Sequence, residues 1–91
     1  MTREQILARA AELINGERQD NYGPPEESMT TICNLWNAYL RQQCLDPVDV
    51  ANMLALLKIA RLSKGPHEDS FIDACGYLAI AGEIGAKASE R

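Results

Sequence analysis

Apolar residues recur along this chain at steps of three and four, and the recurrence is interrupted three times, so the pattern predicts four amphipathic helices and no strands. The first helix opens at Thr2, which stands three residues before Gln5 as in a capping box. It continues through Ile6, Ala10, Leu13 and Ile14 to a stop at Asn15-Gly16. The second follows Pro24-Pro25, with Glu26 and Glu27 near its positive end and Met29, Ile32, Cys33, Trp36 and Leu40 on one stripe. Its last turn falls near Gln43. The third begins in "LDPVDV", where Asp46 suits the N-cap, Pro47 the first helical position and Asp49 the third, and it runs to about Ser63. Val50, Met53, Leu54, Leu56, Leu57, Ile59, Ala60 and Leu62 make it apolar all round, which predicts neighbours on more than one side and a central place. Lys64-Gly65-Pro66 ends it. A fourth helix follows from His67, with Phe71, Ile72, Cys75, Leu78 and Ala79 on the buried side and fraying after about Ala86.

Short connections and the lack of strand-like alternation or repeats predict one all-α domain over residues 1–91, a compact antiparallel bundle of about four helices. A chain of 91 residues buries only about 60–65% of its unfolded surface, so self-association into a homo-oligomer is expected. The formal charge of -4, with no basic run longer than two residues, argues against long nucleic acid as a partner. No apolar run approaches the ~18 residues of a membrane span, and charges in "MTREQILARAAEL" do not suit a signal peptide. Cys33, Cys44 and Cys75 are odd in number and widely spaced, as reduced thiols of a cytosol would be.

Candidate chemistry gathers on the last two helices. Lys58 and Arg61 are three apart on an otherwise apolar helix, where cations need anions: either Asp73 of the fourth helix or a bound phosphate. Asp69, Asp73 and Tyr77 follow at steps of four, which puts two carboxylates and a phenol in one line. A divalent cation is the ligand that Asp69 and Asp73 would hold. Gly76, inside the helix, costs about 1 kcal/mol relative to Ala, so another helix or a ligand is expected to approach closely there. Trp36 and Tyr39 are either core residues or a platform for a base, and His67 reads as an exposed neighbour of the helix start. No nucleophile triad, Gly-rich phosphate loop or His-Glu-x-x-His motif is present.

These residues fall into blocks: Arg18 and Tyr22-Gly23-x-Pro25, then Leu35-Trp36-x-x-Tyr39. They continue as Asp49-Val50-Ala51-x-Met53 with Leu57-Lys58-Ile59-Ala60-Arg61, and finally Asp69-Ser70-x-x-Asp73-x-x-Gly76-Tyr77. In this order, over roughly residues 17 to 81, they resemble a family of small phage and prophage proteins. That family is distantly similar to the MazG-like all-α nucleoside triphosphate pyrophosphohydrolases, whose paired carboxylates on neighbouring helices hold the magnesium that activates water. Asp73 matches the last carboxylate of that pattern, but Ser70 stands three before it. The third helix offers Leu54, Leu57, Lys58 and Arg61 where acids would be wanted.

The resemblance therefore implies a small phage nucleotide-binding protein, acting in the host cytoplasm, that binds without hydrolysis and has no catalytic residues and no cofactor. Arg18, Lys58 and Arg61 would meet phosphates, and Tyr22, Trp36 or Tyr39 a base. Gly23, Asp69, Asp73 and Tyr77 complete the candidate set. Its use to a phage would be sequestration of a host immune signalling nucleotide, either a cyclic oligonucleotide or an ADP-ribose derivative. Two alternatives stay open. One is a Mg2+-dependent pyrophosphohydrolase with Asp69, Asp73 and Asp49 or Glu68 as metal ligands. The other is a helical module that inhibits a host protein by surface contact.

Overall fold

In the computed structural model, which describes residues 1–16 and 23–89, local capping chemistry sets the helix boundaries. α1 spans Arg3–Asn15. The Gln5 amide donates to Thr2 Oγ1 at 3.2 Å while the Thr2 amide donates to Gln5 Oε1 at 2.8 Å, so two donors at the helix start are satisfied reciprocally. α2, Pro25–Leu40, starts on a proline whose missing N–H costs nothing at that position. α3, Pro47–Ala60, has the same reciprocal cap made with two aspartates: Asp49 N–H to Asp46 Oδ1 and Asp46 N–H to Asp49 Oδ2, both at 3.0 Å. A 3-10 turn over Arg61–Lys64 tightens its end, and α4 runs from Glu68 to Ser89. Among the described residues there is no strand, and the chain is an all-α bundle as its pattern predicts.

α2 ends three residues before the predicted Gln43 because Arg41 takes the left-handed conformation, with φ of 58°. The Arg41 amide then donates to Ala38 O at 3.2 Å and the Gln42 amide to Asn37 O at 3.1 Å, the pairing of a Schellman motif. Glycine usually occupies this position, and an L side chain here costs roughly 1 kcal/mol. Arg41→Gly is therefore expected to stabilise the fold by about 0.5–1 kcal/mol. Thermal melting should show this as a rise of a few degrees, since 1 kcal/mol moves the midpoint of a domain this size by about 4–8 °C.

The central element is α4, not α3. Only α4 packs against each of the other three helices, and its 22 residues give it a length of about 33 Å, most of the molecule's 40 Å long dimension. α3 lies antiparallel on it, with Val48 against Gly85 near one end and Lys58 against Asp73 near the other. α1 runs in the same sense as the first half of α4. The amino group of Met1 reaches Glu68 Oε1 at 3.0 Å, and a Cβ placed on Gly76 would stand 3.1 Å from Ile14 Cγ2. The close approach expected at Gly76 is thus made by α1.

The buried face of α4 is also turned from the predicted one. Ile72, Ala74, Gly76, Tyr77, Ile80, Ala81 and Ile84 face the interior. Phe71, Leu78 and Ala79 are exposed, and Cys75 is half-buried. Small residues took the inside because they let helices approach closely: Ala51 and Ala55 of α3 meet the α4 side that carries Ala74 and Ala81. Val50 is fully buried in the same core, with Met29 and Cys33 of α2, while Leu40 is left exposed at the end of its stripe. The last turns of α4 remain helical to Ser89, beyond the predicted fraying at Ala86.

Candidate functional site

Where the four helices converge, their side chains leave an open groove of about 620 Å³, within the ~300–1,000 Å³ typical of small-molecule sites. Its walls are Ile14 from α1, Met29 and Ile32 from α2, Leu54 from α3, and Tyr77 and Ile80 from α4. Glu27, Ser28 and Thr31, on one side of α2, supply the polar rim. Helical spacing explains the composition: Met29 and Ile32 sit three apart on the face that meets α3, whereas Thr31 is rotated outward and exposed. Gly23 lines the groove with φ of 79°, a conformation that a side chain would strain; among the described residues, the nearest atom to a Cβ placed there would be Glu27 Oε2 at 3.8 Å.

One helical turn from Leu54 and Tyr77, at Leu54+4 and Tyr77−4, stand Lys58 and Asp73. Lys58 Nζ lies 3.1 Å from Asp73 Oδ2, and the two side chains are only 14% and 25% exposed. The α3/α4 register that brings Leu54 and Tyr77 to the groove thus places this ion pair one turn beyond them, outside the groove's lining. Ser70, one turn further along α4, is buried, and its hydroxyl shares a hydrogen bond of 2.8 Å with His67 Nδ1. His67 is therefore engaged at the start of α4 and stands outside the groove.

The sequence candidates separate into distinct places. Gly23 and Tyr77 line the groove, whereas Lys58 and Asp73 pair with each other outside its lining. Trp36 is half-buried against the core, whereas Tyr39 is 87% exposed near the end of α2 and does not line the groove. Arg61 is exposed at the far end of α3, where it borders a smaller hollow with Lys64 and His67. Asp69 is exposed in the first turn of α4, and no group of three or more His, Cys, Asp or Glu side chains among the described residues stands close enough to hold a metal ion. Arg18 and Tyr22 lie outside the described residues. Sequence reasoning missed the rim of Glu27, Ser28 and Thr31 and the wall at Leu54. The signal available for them was the polar edge of the α2 stripe immediately after Pro24-Pro25.

No described helix is long and apolar enough to cross a membrane. No solved structure matches the chain significantly. Among curated proteins, it is 48% identical over 82 residues to the Gene 55 protein of Mycobacterium phage D29, an alignment covering 89% of this chain and 54% of that protein. To the Gene 55 protein of Mycobacterium phage L5 it is 41% identical over 87 residues, covering 94% of this chain and 56% of the relative. The chain thus spans about half the length of the curated relatives it matches. The phage resemblance carried by the sequence blocks holds at this level, and the match to the family described as "Domain of unknown function (DUF6378)" runs over residues 5–85, through all four helices and every wall of the groove. The chain belongs to the DUF6378 family.

Proposed function

We propose that this protein binds a small nucleotide in the groove between its four helices and holds it without hydrolysis, lowering the free level of a host signalling nucleotide during phage infection. The observation that carries this reading is the groove itself. Its volume suits a nucleotide, its apolar walls with the Tyr77 ring suit a base, and its polar rim suits a sugar. Gly23, in its lining, directly follows in sequence the block that holds Arg18 and Tyr22. The two phage proteins described above support the setting: a small binder made in quantity acts by mass action once its affinity exceeds that of the host effector.

Two features favour retention over hydrolysis and weigh against the MazG-like alternative. The carboxylate of Asp73, which that alternative needs as a metal ligand, is taken by Lys58. The position three residues earlier is a buried serine engaged by His67. Titration calorimetry against nucleoside mono- and triphosphates, ADP-ribose and cyclic di- and trinucleotides, each with and without magnesium, tests the proposal. One class should bind and be recovered intact after the protein is denatured. Release of pyrophosphate would replace the reading with the hydrolase, and silence across the panel would leave a protein-interaction module.

A variant ties binding to the groove. Thr31 is exposed on the rim, so Thr31→Trp should leave the melting temperature nearly unchanged while its indole fills the opening. Affinity for the bound nucleotide is expected to fall by about tenfold or more, a loss of ~1.4 kcal/mol. Unaltered affinity in a folded Thr31→Trp protein would place the ligand elsewhere.

A further inference from the structure

The side of the α3/α4 pair turned away from the groove is apolar and open. On α3, Val50, Ala51 and Ala55 are buried, yet Met53, Leu56 and Ile59 on the outer side are 41%, 62% and 47% exposed. On α4, Phe71 and Leu78 are 44% and 51% exposed. The two sets adjoin. Phe71, Leu78 and Gly85 are spaced by seven along one stripe of α4, and Gly85 is the residue that Val48 of α3 packs against. From Val48, the α3 stripe runs at helical spacing through Asn52 and Leu56 to Ile59, antiparallel to its neighbour.

We propose that this face is the seam of a homodimer, in which a second copy lays its own α3 and α4 on it across a two-fold axis. Area supports that occupant. The five large side chains expose on the order of 500 Å² of apolar surface, at the upper end of what monomers leave open and more than half of the ~800 Å² per partner of a stable interface. Self-complementarity supports it too. The middle of the seam carries no charge, and Asn52, its polar member there, has an amide that both donates and accepts and so can pair with its own copy. Charge sets the direction. α3 begins with Asp46 and Asp49 and is followed by Arg61 and Lys64, so an antiparallel second α3 meets opposite charge at both ends. The seam and the groove lie on opposite sides of α3/α4, and the dimer does not depend on what the groove binds.

Sedimentation equilibrium of the purified protein tests the proposal. The expected mass is twice the 10.1 kDa chain. Leu56→Glu/Leu78→Glu should give a helical monomer with an unchanged far-ultraviolet spectrum. Leu7→Glu, at a site on α1 that is 60% exposed and off the seam, should stay dimeric. If the double variant does not fold, Leu56→Lys alone takes its place with the same two readings. A native protein that is monomeric up to roughly 100 µM overturns the proposal and leaves the face to a different partner. A dimer that survives the seam substitutions overturns it as well, by moving the interface elsewhere.

Discussion

Asn37→Ala is expected to cost about 2–4 kcal/mol, a large part of the ~5–15 kcal/mol that holds a domain of this kind folded. The side chain is 2% exposed, and its amide pairs with both backbone groups of one residue: Nδ2 donates to Leu45 O and Oδ1 accepts from the Leu45 amide, each at 3.0 Å. Cys33 Sγ donates to the same carbonyl at 3.2 Å. Leu45 immediately precedes the Asp46 cap of α3, so Asn37 fixes where α3 begins relative to α2. Alanine removes the donor and the acceptor together, which leaves the half-buried Leu45 N–H without its acceptor and its C=O with only the weak Cys33 S–H donor; an unmet buried group costs about 1–3 kcal/mol. Urea unfolding followed by circular dichroism should show the lower midpoint. Asn37→Leu, which keeps the volume but not the polar atoms, should recover little. Buried Cys33 gives a local readout: in a Cys44→Ser/Cys75→Ser background, its reaction with a thiol reagent should quicken in Asn37→Ala. An unchanged midpoint would mean that the Leu45 backbone finds water instead.

Asn37 was illegible in the sequence for a physical reason. It lies one step beyond Trp36 on the α2 stripe, and an asparagine on a helix gives no sign of whether it faces water or the backbone of a following loop. Hydrogen bonding of that kind depends on how the chain returns, which is a tertiary property. The same division runs through the rest of the fold. Both capping boxes, the proline starts and the Gly65-Pro66 stop were legible because they are satisfied within three or four residues. Gly76 was legible as a close contact because a mid-helix glycine has a known cost; its partner, Ile14, was not. The α3 residues read as apolar all round, which is correct, but that composition does not distinguish a helix covered by its own chain from one covered by a second copy. The central place was assigned to α3 for this reason, while α4 holds it through small residues with little apolar weight.

The candidate site divides in the same way. Lys58 and Asp73 were visible as charges on adjacent helices, and pairing between them was one of the two outcomes open to Lys58. Arg61, three residues on, reads in the sequence as part of the same helix as Lys58, but it begins the 3-10 segment that follows α3. The groove was not legible from any single element. It exists only where Ile14, Ile32, Leu54 and Tyr77 are brought together from four helices, and no local pattern encodes a gap between surfaces.

Lys58→Ala carries the second large expected effect, about 2–3 kcal/mol of stability. At 14% and 25% side-chain exposure the pair is too sheltered to behave as a surface ion pair, whose contribution is typically below 1 kcal/mol. It is also not sealed from water, so the loss should be smaller than the ~3–5 kcal/mol of a fully buried pair that loses one partner. Most of the loss comes from Asp73, whose carboxylate stays in a partly apolar place without its cation. Packing of the lysine methylenes between α3 and α4 adds the rest. The two contributions separate in a double-mutant cycle. Asp73→Asn should rescue much of the charge loss in Lys58→Ala, with a coupling of about 1–2 kcal/mol, and Lys58→Met should retain the packing while losing the charge. Urea midpoints of the four proteins give the coupling directly. Zero coupling would mean that solvent already neutralises the pair, leaving Lys58 available to an anion in the adjoining groove. A large coupling instead makes the Lys58–Asp73 bridge a structural brace for the wall formed by Leu54 and Tyr77. In that case Lys58→Ala should weaken nucleotide binding only in proportion to the protein it unfolds, whereas Thr31→Trp weakens it in a protein that remains folded.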